Sequence, residues 1–341
     1  MTVMQTLVVN EYGAYVSKHS ARLRVTKDKE VVEEAPLVYL QQVLLGRGAS
    51  VSSDAILACA ERGIAVHVVS NSGRVQATLY AAGLGGTVLT RRAQLLAFTD
   101  ARGLALAKAF ARGKIANQTA LLKYLAKARK ESDPPLYKEL RLRAGEVRDH
   151  LAELDGLRRV TADDARAALL SIEGRAAQKY WDALKLVIPP AMNWPGRRGR
   201  GARDPVNAAL NYGYAILQRE VERALVLAGL DPFAGFIHAD RPGKPSLTLD
   251  LMEEFRQVVV DRAVLALIGL GVPLARTEEG WLTDETRRAI AQRVLERLEN
   301  GTERYEKKRQ PLRVILQTQA RHIATFVRKE RDTYEPFVAG W

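Results

Sequence analysis

The chain has 341 residues, 47% of them hydrophobic, with 52 Lys and Arg against 39 Asp and Glu and a net charge of +13. That length suits two domains, each able to bury a core, and no apolar run reaches the roughly 18 residues of a transmembrane span. A single cysteine, Cys59, excludes an internal disulfide and a cysteine-based zinc site, and the N-terminus lacks a signal-peptide pattern, so a cytoplasmic protein is expected.

The charge is unevenly placed. Residues 1–90 hold 8 basic and 7 acidic residues, and the remainder holds 44 and 32. An excess confined to the second part points to nucleic acid or another anionic surface as its partner. Simple solubility is the plainer alternative.

Residues 1–80 read as strands: Leu7–Val9, Ala14–Val16 and Leu23–Val25 are short β-type runs, separated by turn chemistry at Tyr12-Gly13 and Lys27-Asp28-Lys29. One helix interrupts them. Ser53 is its expected cap, Ile56, Leu57 and Ala60 its inward face, and Gly63 its end. A strand at Ala65–Val69 and a turn at Asn71-Ser72-Gly73 follow. Residues 81–90 are expected to be a linker, glycine-rich over 81–87. From Arg91 the pattern is helical almost to the end, giving an α+β chain with a small β-rich domain (1–80) and a larger all-α domain (91–341).

The first helical stretch, 91–131, carries 10 Lys and Arg against 2 acidic residues, which suits a DNA path or a solvated face. A later helix begins at Thr161-Ala-Asp-Asp164, which has the form of a capping box, and runs to about Val187. At about 100° per residue, Leu169, Leu170, Ala176, Ala177, Tyr180 and Leu184 share a face with Glu173. A carboxylate inside an apolar stripe must be paired, protonated or metal-bound. Taken on this helix alone, a structural salt bridge is the better reading. The small residues Gly174, Ala176 and Ala177 would let another element approach. Residues 193–203 form an Arg/Gly segment with Arg197, Arg198, Arg200 and Arg203, either a phosphate-wrapping loop or a linker.

His238 differs from His19, His67, His150 and His322, which read as ordinary core histidines, because Asp250 and Glu253 follow it closely. Those two are three apart and share a face if the segment is helical. An oxygen-rich set with one imidazole suits Mg²⁺ or Mn²⁺, ions that serve phosphoryl chemistry.

Four ordered motifs carry a resemblance across nearly the whole chain: Glu173-Gly-Arg-Ala-Ala with Tyr180; Asp204-Pro-Val-Asn207 with Leu210-Asn-Tyr-Gly-Tyr214; Ala228-Gly-Leu-Asp-Pro232 with Gly235-Phe-Ile-His238; and Leu249-Asp-Leu-Met-Glu-Glu-Phe-Arg256. They resemble the CRISPR-associated spacer-acquisition integrases, the adaptation protein common to most CRISPR systems. Arg91-Arg92-Ala-Gln94 and the β-rich start also fit. The resemblance implies a homodimer that joins DNA fragments into a CRISPR array together with a small ferredoxin-like CRISPR-associated partner. It implies Glu173, His238 and Glu253 as metal ligands, with Asp250 as a supporting or second-metal carboxylate. Asn207 and Tyr212 would face the active site or its DNA, and Arg91, Arg92, Arg197, Arg198, Arg200 and Arg203 would meet phosphates. Family members often have proline where Glu254 stands, and the sequence leaves Glu253 and Glu254 both open as the ligand. A hydrolytic nuclease and a non-catalytic basic DNA scaffold are the rival readings.

Overall fold

The computed structural model describes residues 6–40, 42–70, 75–79, 87–199, 201 and 204–341. The chain divides into two compact units, Met1–Gly85 and Gly86–Trp341. The first holds eight strands among its described residues: β1 (Thr6–Val9), β2 (Tyr15–His19), β3 (Arg22–Lys27), β4 (Glu30–Pro36), β5 (Gln42–Leu45), β6 (Ser50–Val51), β7 (Ala65–Val69) and β8 (Val75–Leu79).

They form two four-stranded sheets, ordered β1-β5-β7-β8 and β4-β3-β2-β6. The strand period of two puts Leu23 and Val25 of β3 on the buried side, with Leu7, Val9, Val16, Val43 and Leu45 from the other strands. The Asp28-Lys29 turn between β3 and β4 has φ of 49° and 70°, the left-handed pair that suits a two-residue hairpin. Helix α1 (Ser53–Glu61) is capped by Ser52, whose hydroxyl accepts from the Ala55 N–H at 3.2 Å, rather than by Ser53. That register turns Ala55, Ala58 and Cys59 inward and leaves Leu57 exposed, correcting the inward face read from periodicity. The Asn71-Ser72-Gly73 turn and residues 81–86 of the expected linker lie outside the described residues.

The second unit begins with α2 (Thr87–Ala97), so residues 87–90 belong to a helix. Then come α3 (Ala101–Lys127), α4 (Pro134–Gly156), α5 (Ala162–Lys185) and α6 (Pro205–Leu227). Aspartate or threonine caps four of these starts: Asp100, Asp133, Thr161 and Asp204 each accept a hydrogen bond from the first helical turn. Proline follows the cap in α4 and α6, where its missing N–H costs nothing. Helices α3, α4 and α5 pack on one another through Phe110, Leu121, Leu122, Leu140, Val147, Leu169 and Tyr180.

After α6 come α7 (Ser246–Met252), a six-residue π-helix (Arg256–Asp261), α8 (Arg262–Gly269), α9 (Asp284–Glu299) and α10 (Leu312–Val327). One antiparallel hairpin, β9 (Thr302–Tyr305) with β10 (Lys308–Pro311), breaks the otherwise helical pattern. Among the described residues, no helix is long and apolar enough to cross a membrane.

Candidate active site

Helix α5 carries Glu173 inward, as its apolar surroundings require. The buried stripe runs Ala165, Leu169, Ile172, Ala176, Tyr180, Ala183 and Leu184, while Leu170 is exposed and Ala177 only half-buried. Gly174 is exposed with open space above it, so it serves no close approach. Glu173 Oε1 accepts from the Lys114 ammonium of α3, and its other oxygen, Oε2, is buried with no hydrogen-bond partner.

The same ammonium lies 2.9 Å from Glu253 Oε2, and Arg256 Nε lies 3.1 Å from Glu253 Oε1. Burial acts to raise the Glu253 pKa, but the Arg256, Lys114 and His238 charges outweigh it and hold the carboxyl well below its usual range. Burial acts against the Lys114 charge too, and Glu173 and Glu253 more than compensate, so its pKa is raised.

Asp250, which the resemblance implied as a supporting or second-metal carboxylate, lies behind His238 and holds its ring and loop. It is fully buried, and its oxygens accept from the backbone N–H groups of Phe236 (2.6 Å), Ile237 (3.1 Å) and His238 (3.0 Å). It also meets His238 Nδ1 at 2.7 Å. A carboxylate there places the proton on Nδ1 and leaves Nε2 as the free face of the ring. Burial lowers the His238 pKa, but Asp250, Glu253 and Glu173 raise it further, and the net shift is upward.

The loop around His238 is fixed from several sides. A Cβ at Gly235 would lie 2.7 Å from the Ser246 backbone and 2.8 Å from Asp250 Oδ2, so only glycine fits. Arg166 Nε donates to Ile237 O at 3.0 Å. Gln94 of α2 donates to the carbonyls of Asp231 (2.9 Å) and Ala234 (2.7 Å) and accepts from the Asp231 N–H (2.8 Å).

Glu254, the other acidic candidate, faces away into a separate buried cluster. Its carboxylate accepts from Tyr334 Oη at 2.6 Å, the Phe337 N–H at 2.8 Å and Gln319 Nε2 at 2.8 Å. Burial dominates those donors and pushes its pKa up to about 7.

Asn207 is bonded to the segment that precedes α6. It is wholly buried at the start of α6, accepts from the Arg198 N–H at 2.9 Å, and donates to Gly196 O and Asp204 Oδ2 at 2.8 Å each. It thereby shapes the Arg/Gly segment. Tyr212 is set among Arg219, Arg287 and Asp284 instead of the carboxylates. The nearby tyrosine is Tyr214, whose ring lies 4.9 Å beneath the Arg256 guanidinium.

Arg197 turns inward over the Trp181 and Tyr214 rings, whereas Arg198, Arg91 and Arg92 are exposed. Arg200 and Arg203 lie outside the described residues. His19 is exposed, unlike the core histidines His67 and His150.

Sequence reasoning missed Lys114 and Arg256. The signal for Lys114 was present: it lies four after Phe110, three after Ala111 and seven before Leu121, all buried, so it interrupts an apolar stripe.

Among the described residues, no three of His, Cys, Asp and Glu converge closely enough to hold a metal ion as they stand. The donor set still fits a hard divalent cation: two carboxylates that already share one cation, a free carboxylate oxygen, and an imidazole whose other nitrogen is oriented by an aspartate.

Residues 7–296 match the family model described as CRISPR associated protein Cas1. The CRISPR-associated endonuclease Cas1 1 of Archaeoglobus fulgidus is 41% identical over 346 residues, covering 98% of this chain and 99% of its own length. A casposase bound to its integration product shares the fold, with a TM-score of 0.78 at 24% identity over 97% of this chain and 93% of that one. So does a chain of a Cas6-RT-Cas1–Cas2 complex, with a TM-score of 0.74 at 21% identity over 99% of this chain and 36% of that one. The chain belongs to the Cas1 family of CRISPR-associated proteins.

Proposed function

We propose that this chain is a divalent-metal-dependent DNA integrase that joins the 3′-hydroxyl of a short DNA fragment to a phosphodiester at the edge of a CRISPR repeat. The observation carrying the proposal is the shared cation between Glu173 and Glu253, beside an imidazole held by Asp250. Mg²⁺ or Mn²⁺ held by Glu173, His238 and Glu253 would lower the cost of ionising the attacking hydroxyl and offset charge on the phosphate. Asp250 keeps the His238 ring in one tautomer and one orientation. Glu173 and Glu253 supply the negative charge, and Arg256 and Lys114 supply nearby donors for phosphate oxygens. The exposed Arg91, Arg92 and Arg198 would add phosphate contacts.

Assembly belongs to the same proposal. The nearly neutral first unit exposes Val31, Val32, Val38 and Tyr39, apolar surface suited to a self-complementary dimer contact. Double-stranded DNA and a small ferredoxin-like adaptation partner are the further partners. The partner is supported by the fold shared with a chain of the Cas6-RT-Cas1–Cas2 complex. A second reading, hydrolysis by water, is favoured by the word endonuclease in the Archaeoglobus relative's name.

A fragment ending in a 2′,3′-dideoxy sugar separates the two readings. With Mn²⁺ and the partner protein, it should bind nearly as well as the normal fragment, because phosphates supply most of the affinity. It should give no joined product. Target cleavage at full rate with the blocked fragment would make water the nucleophile.

A further inference from the structure

Lys114 stands where the proposed chemistry needs a divalent cation. Its ammonium bridges Glu173 and Glu253, one from the middle of α5 and one from just after α7. The approach is built in: a Cβ at Gly113 would lie 2.8 Å from Glu254 Cγ and 2.9 Å from Pro336 Cβ, so α3 comes this close only with glycine there. The Lys114 side chain is 14% exposed, so it is not sealed from solvent.

The charges of Glu173, Glu253, Lys114 and Arg256 balance within this cluster. A divalent ion entering it as it stands would face two cations within a few ångströms. One of them must yield. Arg256 is the poorer choice, because its planar guanidinium is stacked on Tyr214 as well as paired with Glu253. Lys114 is a point charge on a flexible four-carbon stem, able to swing without breaking a stacked contact.

We propose that Lys114 is a displaceable counter-ion. Its ammonium holds Glu173 and Glu253 together before a divalent cation binds, gives up that place on binding, and turns to the DNA phosphodiester. The proposal rests on Glu173 and Glu253 being metal ligands, as proposed above. It makes metal and DNA binding cooperative through one side chain, and by linkage each must strengthen the other.

Calorimetric titration of the full chain with Mn²⁺, in the wild type and in Lys114→Gln, tests this. Removing the competing ammonium should tighten Mn²⁺ binding by about tenfold or more, the size of one modest electrostatic contact. Mn²⁺ should also strengthen DNA binding by the wild type, and do so less in Lys114→Gln, where only the metal's own contact with phosphate remains.

A measurement on the wild type covers the case in which the variant does not fold. With an amine-acetylating reagent and peptide mass spectrometry, Lys114 should be modified several-fold faster in Mn²⁺ than in chelator. Equal or weaker Mn²⁺ binding by folded Lys114→Gln, or labelling of Lys114 that ignores Mn²⁺, overturns the proposal while the metal reading stands. A wild type that binds no Mn²⁺ at all overturns both.

Discussion

Helix α3 carries Lys114 and Asn117 one turn apart, and each sits in a buried polar cluster. Around Lys114 the contacts are ionic, and one carboxylate oxygen, Glu173 Oε2, has no donor. Around Asn117 the groups are matched. Its amide donates to Glu254 O and Phe337 O at 2.8 Å each, and its carbonyl accepts from the Ala339 N–H at 2.9 Å. Glu254 is satisfied by Tyr334, Phe337 and Gln319, so the C-terminal segment is fastened to the core behind the site. A saturated buried network fixes structure, whereas a charged cluster with an acceptor left over is a place for something to bind. Two neighbours in sequence, Glu253 and Glu254, thereby take opposite roles.

The strongest way to sharpen this contrast is to weaken the orientation of the site without touching its charged cluster. Asp250→Asn keeps one acceptor oxygen for the Phe236 and Ile237 N–H groups but removes the charge and the acceptor opposite the His238 N–H and Nδ1. Mn²⁺ affinity should fall by about 10- to 100-fold, the usual effect of losing such a partner, with the fold retained by circular dichroism. Unchanged affinity would remove Asp250 from the account.

The next expectation concerns Asp261, a buried carboxylate beside Tyr214 and Arg256 whose oxygens both have donors. It accepts from Tyr180 at 2.6 Å and from Tyr214, and burial pushes its pKa up to about 6 despite those donors and the nearby Arg197 and Arg256. A raised pKa means the folded state binds the proton more tightly. Its contribution is fully present below the unfolded value, near 3.8, and is lost as pH rises through about 6. Replacement by Asn should therefore flatten the stability–pH curve between those values, by something on the order of 2–3 kcal/mol at most. Denaturant titrations at several pH values check this, and parallel curves for the two proteins would contradict it.

The smallest expected effect is at the tail. Tyr334→Phe removes one donor to Glu254 and should cost about 1–2 kcal/mol of stability while leaving Mn²⁺ affinity unchanged. A fall in metal affinity larger than the fall in stability would show that the two clusters of α3 are coupled.

Much of this was legible before the structure. The Thr161 cap of α5, the inward placement of Glu173, the Asp28-Lys29 turn and the β-rich first unit all follow from local pattern. The choice between Glu253 and Glu254 did not. Helix α7 ends at Met252, a turn follows, and a π-helix begins at Arg256, so steps of about 100° per residue do not hold across this segment. The motif of α6 did not show which of its tyrosines lies nearest the carboxylate cluster, and the packing of α6 sets Tyr214 beneath Arg256 and Tyr212 among Arg219, Arg287 and Asp284. The strands β4, β6 and β8 escaped notice because their apolar residues are few or broken by polar ones, as in Glu30–Pro36; β5, Gln42–Leu45, was missed despite its apolar run. Lys114 lay hidden in a helix whose basic residues read as a solvated or DNA-facing surface.

The most direct measurement sets Glu253→Gln beside Glu254→Gln, following strand joining, Mn²⁺ binding and thermal unfolding on the same preparations. Glu253→Gln should give no detectable joined product and bind Mn²⁺ more weakly, with little loss of melting temperature. Glu254→Gln should join DNA and bind Mn²⁺ close to wild type but melt at a different temperature. Joining retained by folded Glu253→Gln and lost by folded Glu254→Gln would contradict the assignment of the two carboxylates.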